Sequence, residues 1–141
     1  MFKPPISRCR ETQVPPYASK HEGWTVCCYD MDCYVKEISW TAKYCDKLLV
    51  FEKGIVQVLV FVESKSSVWQ DSVVDQLKGC KDILERYAID RPTTLAFCFI
   101  GKGSRYIKQP LSYPRVGGRE IIHVNPDQDL VVKLQRIGVL G

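Results

Sequence analysis

Apolar and polar positions alternate in the middle of the chain in a pattern that predicts a β-hairpin. Residues 47–51 and residues 55–62 form two short apolar runs, and Glu52-Lys53-Gly54 separates them. Glycine tolerates the positive φ of a tight turn, so we expect Lys53-Gly54 to form a two-residue turn. The alternation places the following residues on one face of the second strand: Ile55, Gln57, Leu59, Phe61, Glu63 and Lys65.

The predicted turn also fixes the position of Asp46. It sets Asp46 opposite Phe61, on the same face as Glu63 and diagonal to it, at a separation of roughly 7–8 Å. A four-residue turn would keep this register, whereas a three-residue turn would move Asp46 to the other face. That other face carries Val56, Val58, Val60 and Val62, and such β-branched residues suit a strand buried under a helix.

Helical periodicity follows the hairpin. The residues that recur at helical spacing are Val73, Leu77, Cys80, Leu84 and Tyr87. Residues 93–100 have strand composition, residues 120–124 form a short predicted strand, and a final predicted helix around residues 130–137 stops at Gly138. This order predicts an α/β fold, a three-layer or two-layer sandwich with a central mixed β-sheet flanked by helices.

Length and composition indicate one folded domain. The chain has 141 residues, of which 45% are hydrophobic. Residues 1–20 contain four prolines, so we expect a flexible or wrapping N-terminal arm before a single domain over residues 21–141. No apolar stretch reaches the ~18 residues of a membrane helix, and the N-terminus does not read as a signal peptide. We therefore expect a cytoplasmic or otherwise intracellular protein without a membrane partner.

Candidate chemistry lies at the end of the second apolar run. Glu63 and Lys65 follow eight residues of which only Gln57 is polar. Ionisable groups on a buried strand need a partner or a metal ion, and Asp46 is expected on the same face. Two carboxylates and a lysine can hold a divalent metal beside a phosphodiester. The alternative is an edge hairpin whose charged side chains are solvated.

The order of these residues resembles the PD-(D/E)xK nuclease superfamily, which includes Holliday junction resolvases and RecB-type nucleases. The resemblance covers about residues 44–100: an Asp, a hairpin, Glu-x-Lys and an amphipathic helix. It implies a restriction-endonuclease-like fold and hydrolysis of phosphodiester bonds in DNA with Mg²⁺ or Mn²⁺. It further implies Asp46 and Glu63 as metal ligands, with the Ser64 carbonyl as a third.

The resemblance also implies roles for two more residues. Lys65 would orient the attacking water or offset charge on the phosphate, and Gln76 on the following helix is a further catalytic candidate. Glu37 is a weaker candidate for an extra acid, since a solvated position suits it better. Many relatives act as dimers, so a homodimer is an open expectation.

Two departures from the family pattern support an alternative function. Cys45 stands where the family usually has Pro, and Cys80 stands where the RecB-type branch has Tyr. The alternative is a catalytically degenerate module on the same fold that binds DNA or a protein partner. A further alternative is a small adaptor whose hairpin edge pairs with a partner strand.

Positive charge is concentrated late in the chain, although the formal net charge is only +4. Between Gly101 and Glu120 the basic residues are Lys102, Arg105, Lys108, Arg115 and Arg119. Tyr106 and Tyr113 are interleaved with them, and a basic loop with aromatic residues suits a nucleic acid. The alternative is an ordinary solvated loop.

The seven cysteines do not have the spacing of a zinc site. Cys80 and Cys98 lie in apolar patterns and are expected to be buried thiols. The odd count favours a reducing interior, although a disulfide from Cys33 to a partner cysteine remains open.

Overall fold

The computed structural model describes residues 9–19, 23–68, 71–85, 93–102 and 115–141. A 3₁₀ helix covers Pro16–Ala18. The strands are β1 (Thr25–Asp30), β2 (Lys47–Lys53), β3 (Val56–Val68), β4 (Thr93–Lys102), β5 (Arg115–Val116), β6 (Arg119–Glu120) and β7 (Ile122–Val124). The helices are α1 (Met31–Glu37), α2 (Ser72–Glu85) and α3 (Leu130–Arg136).

Five strands form one mixed sheet in the order β1-β2-β3-β4-β7. The pairs β1–β2 and β2–β3 are antiparallel, whereas β3–β4 and β4–β7 are parallel. Strands β5 and β6 form a separate two-stranded hairpin. The predicted α/β class with a mixed sheet is confirmed. Residues 25–29 have strand composition and lie in β1, which α1 follows.

Helices cover both faces of this sheet. Leu59 and Phe61 of β3 pack with residues of α1 and α2, and the Phe61 ring stacks on Phe97 of β4 at a centroid distance of 5.6 Å. Val58 and Val60 pack on the other face with residues of α3 and of the 3₁₀ helix. The predicted division of β3 into two faces is confirmed. Because both faces are buried, the strand is apolar almost throughout.

The hairpin turn differs from the prediction. Lys53 pairs with Val56, so Gly54 and Ile55 form the turn rather than Lys53 and Gly54. Gly54 has φ of +60° at the first turn position, as a type II′ turn requires. The predicted placement would put Lys53 at that position, where positive φ is unfavourable for a residue with a side chain. The register moves by two residues, so each side chain keeps its predicted face.

Strand β3 continues well beyond its apolar run. Its regular pairing with β4 ends at Ser64↔Ile100, and the next pair is Val68↔Lys102. Four residues of β3 therefore advance against two of β4, which is an irregularity of the β-bulge kind. Glu63 therefore lies in the last regular pairs and Lys65 in the irregular stretch, rather than at the end of the strand.

The N-terminal segment that the structure describes, residues 9–19, lies against the sheet. The backbone N–H of Thr12 donates to the Cys28 carbonyl at 2.8 Å, and Cys9 forms a disulfide with Cys33. Ala18 is fully buried on the α3 face. Residues 1–8 and 20–22 of the predicted arm and domain start lie outside the described residues, as does Tyr87 of the predicted helical stripe.

Gly79 lets the chain before β2 lie directly on α2. A Cβ atom at Gly79 would stand 1.9 Å from the backbone carbonyl oxygen of Lys43, which cannot move aside as a flexible side chain would. The sequence leaves two alternatives for this residue, a weak point in the helix or close packing of the helix on the sheet. The structure shows that the missing side chain permits a close approach of two segments.

We predict that Gly79→Ala destabilises the protein. In an exposed helix the same change would add up to about 1 kcal/mol of stability. Here the new methyl group forces the two backbones apart, and we expect a loss of about 1–3 kcal/mol in the free energy of unfolding. Urea denaturation measures this loss, with exposed Lys78→Ala as the neighbouring control. A stabilised Gly79→Ala variant would contradict the close approach.

Candidate active site

Asp46 lies beside Glu63, where β2 begins against β3. The first regular pair of β2 is Lys47↔Val62, and Asp46 directly precedes it. The Asp46 N–H donates to the Val62 carbonyl at 3.1 Å, one residue out of that register. The Ser64 N–H donates to Asp46 Oδ2 at 3.0 Å. Asp46 is thus fixed at both its backbone and its carboxylate, close enough to Glu63 for its charge to raise the pKa of that residue.

Glu63 carries a buried carboxylate of which one oxygen is hydrogen-bonded less than the other. The residue as a whole is 2% exposed. Oε2 lies 3.1 Å from Lys65 Nζ, whereas Oε1 has no hydrogen-bond partner among the described residues. Burial, and then the nearby charge of Asp46, raise the pKa of Glu63 from its ordinary value of 4.5 to about 7, against the opposing effect of Lys65. The carboxylate therefore gains or loses its proton near neutral pH.

Gln76 reaches the same region from α2. Its Oε1 is buried and, within the described part of the chain, has no hydrogen-bond partner. Gln76 lines a cavity of about 420 Å³ together with Asp46, Tyr44 and Asp32. The cavity joins the start of β2 to α1 and α2, so the structure brings Asp46 and Gln76 to one opening.

Asp32 and Tyr44 were not anticipated from the sequence. The Tyr44 hydroxyl donates to Asp32 Oδ1 at 2.9 Å, and this bond raises the pKa of Tyr44. Glu37, the weaker acidic candidate, lies exposed at the last position of α1. The position of Tyr44, two residues before Asp46, could have indicated that it lies near the site. Asp32 could have been placed there only by recognising α1 as a helix.

The donor groups fit a hard divalent cation. Glu63 Oε1 and Gln76 Oε1 are buried oxygens with unused lone pairs, and Asp46 supplies a second carboxylate. All of these donors are oxygens, which Mg²⁺ and Mn²⁺ prefer. No group of three or more His, Cys, Asp or Glu side chains that could hold a metal occurs among the described residues. A metal here would therefore need backbone, amide or substrate oxygens in addition.

The predicted basic segment is described only in part. Arg115 and Arg119 are exposed on the β5–β6 hairpin, and Arg115 Nη1 donates to the Gly118 carbonyl at 2.8 Å. Both line a cavity of about 610 Å³ with Lys133. Arg105, Lys108 and the side chain of Lys102 lie outside the described residues. We place the candidate site at the smaller cavity, whose lining includes Asp46 and Gln76; Glu63 does not line it but lies beside Asp46.

Two disulfides change the interpretation of the cysteines. Cys9 pairs with Cys33, and Cys45 pairs with Cys80, at Cα–Cα distances of 5.7 and 5.9 Å. The prediction of a free thiol at Cys80 is therefore wrong, because the chain before β2 comes close to α2. Cys98 is a free and fully buried thiol, as predicted.

Comparison with known proteins gives no relative: no family model, no curated protein and no solved structure matches this chain. In the ranges that the structure describes, no helix is both long enough and apolar enough to span a membrane.

We predict that Glu63→Gln stabilises the protein at alkaline pH. Because the folded-state pKa of Glu63 is raised, ionisation costs stability as pH rises from about 4.5 through about 7. The variant removes this cost, so its advantage should be small near pH 4.5 and on the order of 3 kcal/mol above about pH 8. Loss of the Lys65 pair acts against this gain.

Denaturation at several pH values measures the effect, with exposed Asp127→Asn as the control. If the stability difference between Glu63→Gln and the parent does not change with pH, the raised pKa is contradicted.

Proposed function

We propose that this protein is a metal-dependent nuclease that hydrolyses phosphodiester bonds in DNA. The observation that carries the proposal is the buried Glu63 carboxylate, which lies beside Asp46, pairs with Lys65 and keeps Oε1 unpartnered within the described residues. A buried oxygen of this kind costs free energy unless a ligand uses it. The resemblance to the PD-(D/E)xK superfamily rests on these same residues.

Asp46, Glu63 and the Ser64 carbonyl would hold Mg²⁺ or Mn²⁺. When bound, the ion would polarise the scissile phosphate and lower the pKa of a bound water. Asp46 is already oriented for this role, because the Ser64 N–H occupies only one of its two oxygens. Glu63 must lose its proton first, and a divalent charge beside it favours the ionised form.

Lys65 is placed to act on the phosphate and the water. Its side chain is 21% exposed, and Nζ lies 3.1 Å from Glu63 Oε2. The ammonium group would orient the attacking water and offset the negative charge that grows on the phosphate in the transition state. Gln76 would supply a neutral oxygen at the same opening, where it orients water or completes the metal shell.

We predict that DNA cleavage depends on both Asp46 and Lys65. Supercoiled, linear, single-stranded and branched DNA are incubated with Mg²⁺ or Mn²⁺. Asp46→Ala and Lys65→Ala should each lower the rate by at least about 100-fold, since each removes a group that acts on the developing charge. Gln76→Ala should reduce the rate less. Exposed Asp127→Ala and Lys36→Ala are the controls. Activity that survives both Asp46→Ala and Lys65→Ala would sink the assignment.

The second candidate is a catalytically degenerate module on this scaffold that binds DNA or a protein partner. It is favoured by the Glu63–Lys65 ion pair, which already satisfies one carboxylate oxygen without a metal. Calorimetric titration with Mn²⁺ separates the two candidates. Binding that Glu63→Ala abolishes supports the nuclease, whereas no Mn²⁺ binding by the parent protein supports the module.

The basic segment from Lys102 to Arg119 would hold the DNA backbone. Its cations would supply affinity without reading bases, and Lys102, Arg105, Lys108, Arg115 and Arg119 are the candidates. Arg115 and Arg119 are exposed and lie on a hairpin apart from the carboxylates. A homodimer would let two such sites address two strands.

We predict that the triple variant Arg105→Ala, Lys108→Ala, Arg115→Ala binds all DNA sequences more weakly. The slope of log affinity against log salt should flatten by about 0.9 for each duplex phosphate that the variant no longer neutralises. Fluorescence anisotropy over a salt series measures this slope, and Mn²⁺ binding checks that the metal site is intact. An unchanged slope would show that the segment is ordinary solvated surface.

A further inference from the structure

The disulfide between Cys45 and Cys80 joins the candidate site to the helix that packs beneath it. Cys45 is the residue directly before Asp46, and Cys80 lies one turn after Gln76 on α2. One covalent bond therefore connects the two elements that carry these candidate site residues. The other disulfide, Cys9–Cys33, ties the N-terminal segment to α1 and is bonded to neither element.

The contact around this bond is close. The Cys45 N–H donates to Cys80 Sγ at 2.8 Å, and the Lys43 carbonyl lies where a side chain at residue 79 would otherwise stand. Cys45 and Cys80 are both fully buried. A cavity of about 380 Å³ is lined by Trp40, Lys43 and Gly79, but neither cysteine lines it. We therefore expect a reductant to reach the bond when the contact between this segment and α2 opens.

Apart from this disulfide, hydrogen bonds hold the chain that leads to Asp46. The Tyr44 hydroxyl donates to Asp32, and the Met31 N–H donates to the Asp46 carbonyl at 2.9 Å. Between α1 and β2, residues 38–46 form no regular helix or strand. Trp40 Nε1 donates to the Lys43 carbonyl at 3.2 Å, a bond that stays within this segment. The backbone bond of Asp46 to Val62 and its carboxylate bond to the Ser64 N–H then fix the end of the segment against β3.

We propose, building on the metal site of the proposed function, that the Cys45–Cys80 disulfide is a redox control of that site. In the oxidised protein the disulfide holds Asp46 beside Glu63. A dithiol reduces it by thiol–disulfide exchange: the Cys45–Cys80 bond breaks, two cysteine thiols form, and the dithiol becomes a cyclic disulfide. The released segment lets Asp46 move away from Glu63, and the site loses affinity for a divalent metal.

The experiment compares the oxidised and the reduced full-length protein. Dithiothreitol is added and then removed by gel filtration without oxygen. A thiol assay on denatured protein should find three thiols before reduction and seven after it. Mn²⁺ affinity is measured by calorimetry, and amide hydrogen exchange of Asp46 and Ser64 is measured by NMR without metal. Circular dichroism verifies that both forms are folded.

Two double variants serve as matched controls. Cys45→Ser with Cys80→Ser mimics the reduced site and should not respond to dithiothreitol. Cys9→Ser with Cys33→Ser keeps the site disulfide and should respond as the parent does. A disulfide that only stabilises the fold would shift the unfolding midpoint but would leave Mn²⁺ affinity and local exchange unchanged.

On reduction we expect Mn²⁺ affinity to fall roughly tenfold, the decrease typical of a metal ligand whose supporting residues are disturbed. Exchange of the Asp46 and Ser64 amides should accelerate, whereas that of Val60 in the sheet centre should not. Equal Mn²⁺ affinity in the two forms overturns the redox control. If neither form binds Mn²⁺, the proposed nuclease function fails, and the exchange rates alone decide the coupling: acceleration supports it and equal rates overturn it.

Discussion

The burial of the Glu63 carboxylate is the constraint on which the candidate site depends. The packing that removes β3 from water on both faces also removes Glu63, whose residue is 2% exposed. Desolvation of a carboxylate costs more than one lysine at 3.1 Å returns, and the raised pKa of Glu63 records the difference. The nearby carboxylate of Asp46 adds like-charge repulsion to the ionised form of Glu63. A cation placed between the two carboxylates would remove both penalties. The free-energy cost of burying Glu63 would then contribute to the affinity for that cation.

The sheet explains why this costly position exists. β3 is the central strand, antiparallel to β2 and parallel to β4, so the start of β2 and the irregular part of β3 meet at one end of the sheet. The shift in register after Ser64 interrupts the ladder between β3 and β4 directly after Glu63. Regular pairing up to Ser64 fixes Glu63, and the bond from the Ser64 N–H to Asp46 fixes the neighbouring acid. A rigid strand pair therefore positions the acids beside an opening.

The sequence predicted what depends on local periodicity. The two faces of β3, the α/β class and the helix with Val73 and Leu77 follow from repeats of two and 3.6 residues. The turn was misplaced because the preference of Gly54 for positive φ does not by itself say which turn position the glycine occupies. The sequence analysis missed Asp32, Tyr44 and the Cys45–Cys80 disulfide. They meet through a segment that has no periodicity. This segment can lie on α2 because residue 79 lacks a side chain.

Three partners compete for the carboxylate of Glu63: a proton, the ammonium group of Lys65 and, in the proposed function, a divalent metal. Burial favours the protonated form of the carboxyl group, and Lys65 holds only Oε2. The metal would gain from Asp46, because a second carboxylate nearby attracts a cation and disfavours ionisation of Glu63. After burial, Asp46 is the largest cause of the raised pKa of Glu63, and in the proposed function it also contributes to the metal affinity. The contacts that hold the segment before β2 on α2 therefore influence Glu63, because they help to position Asp46.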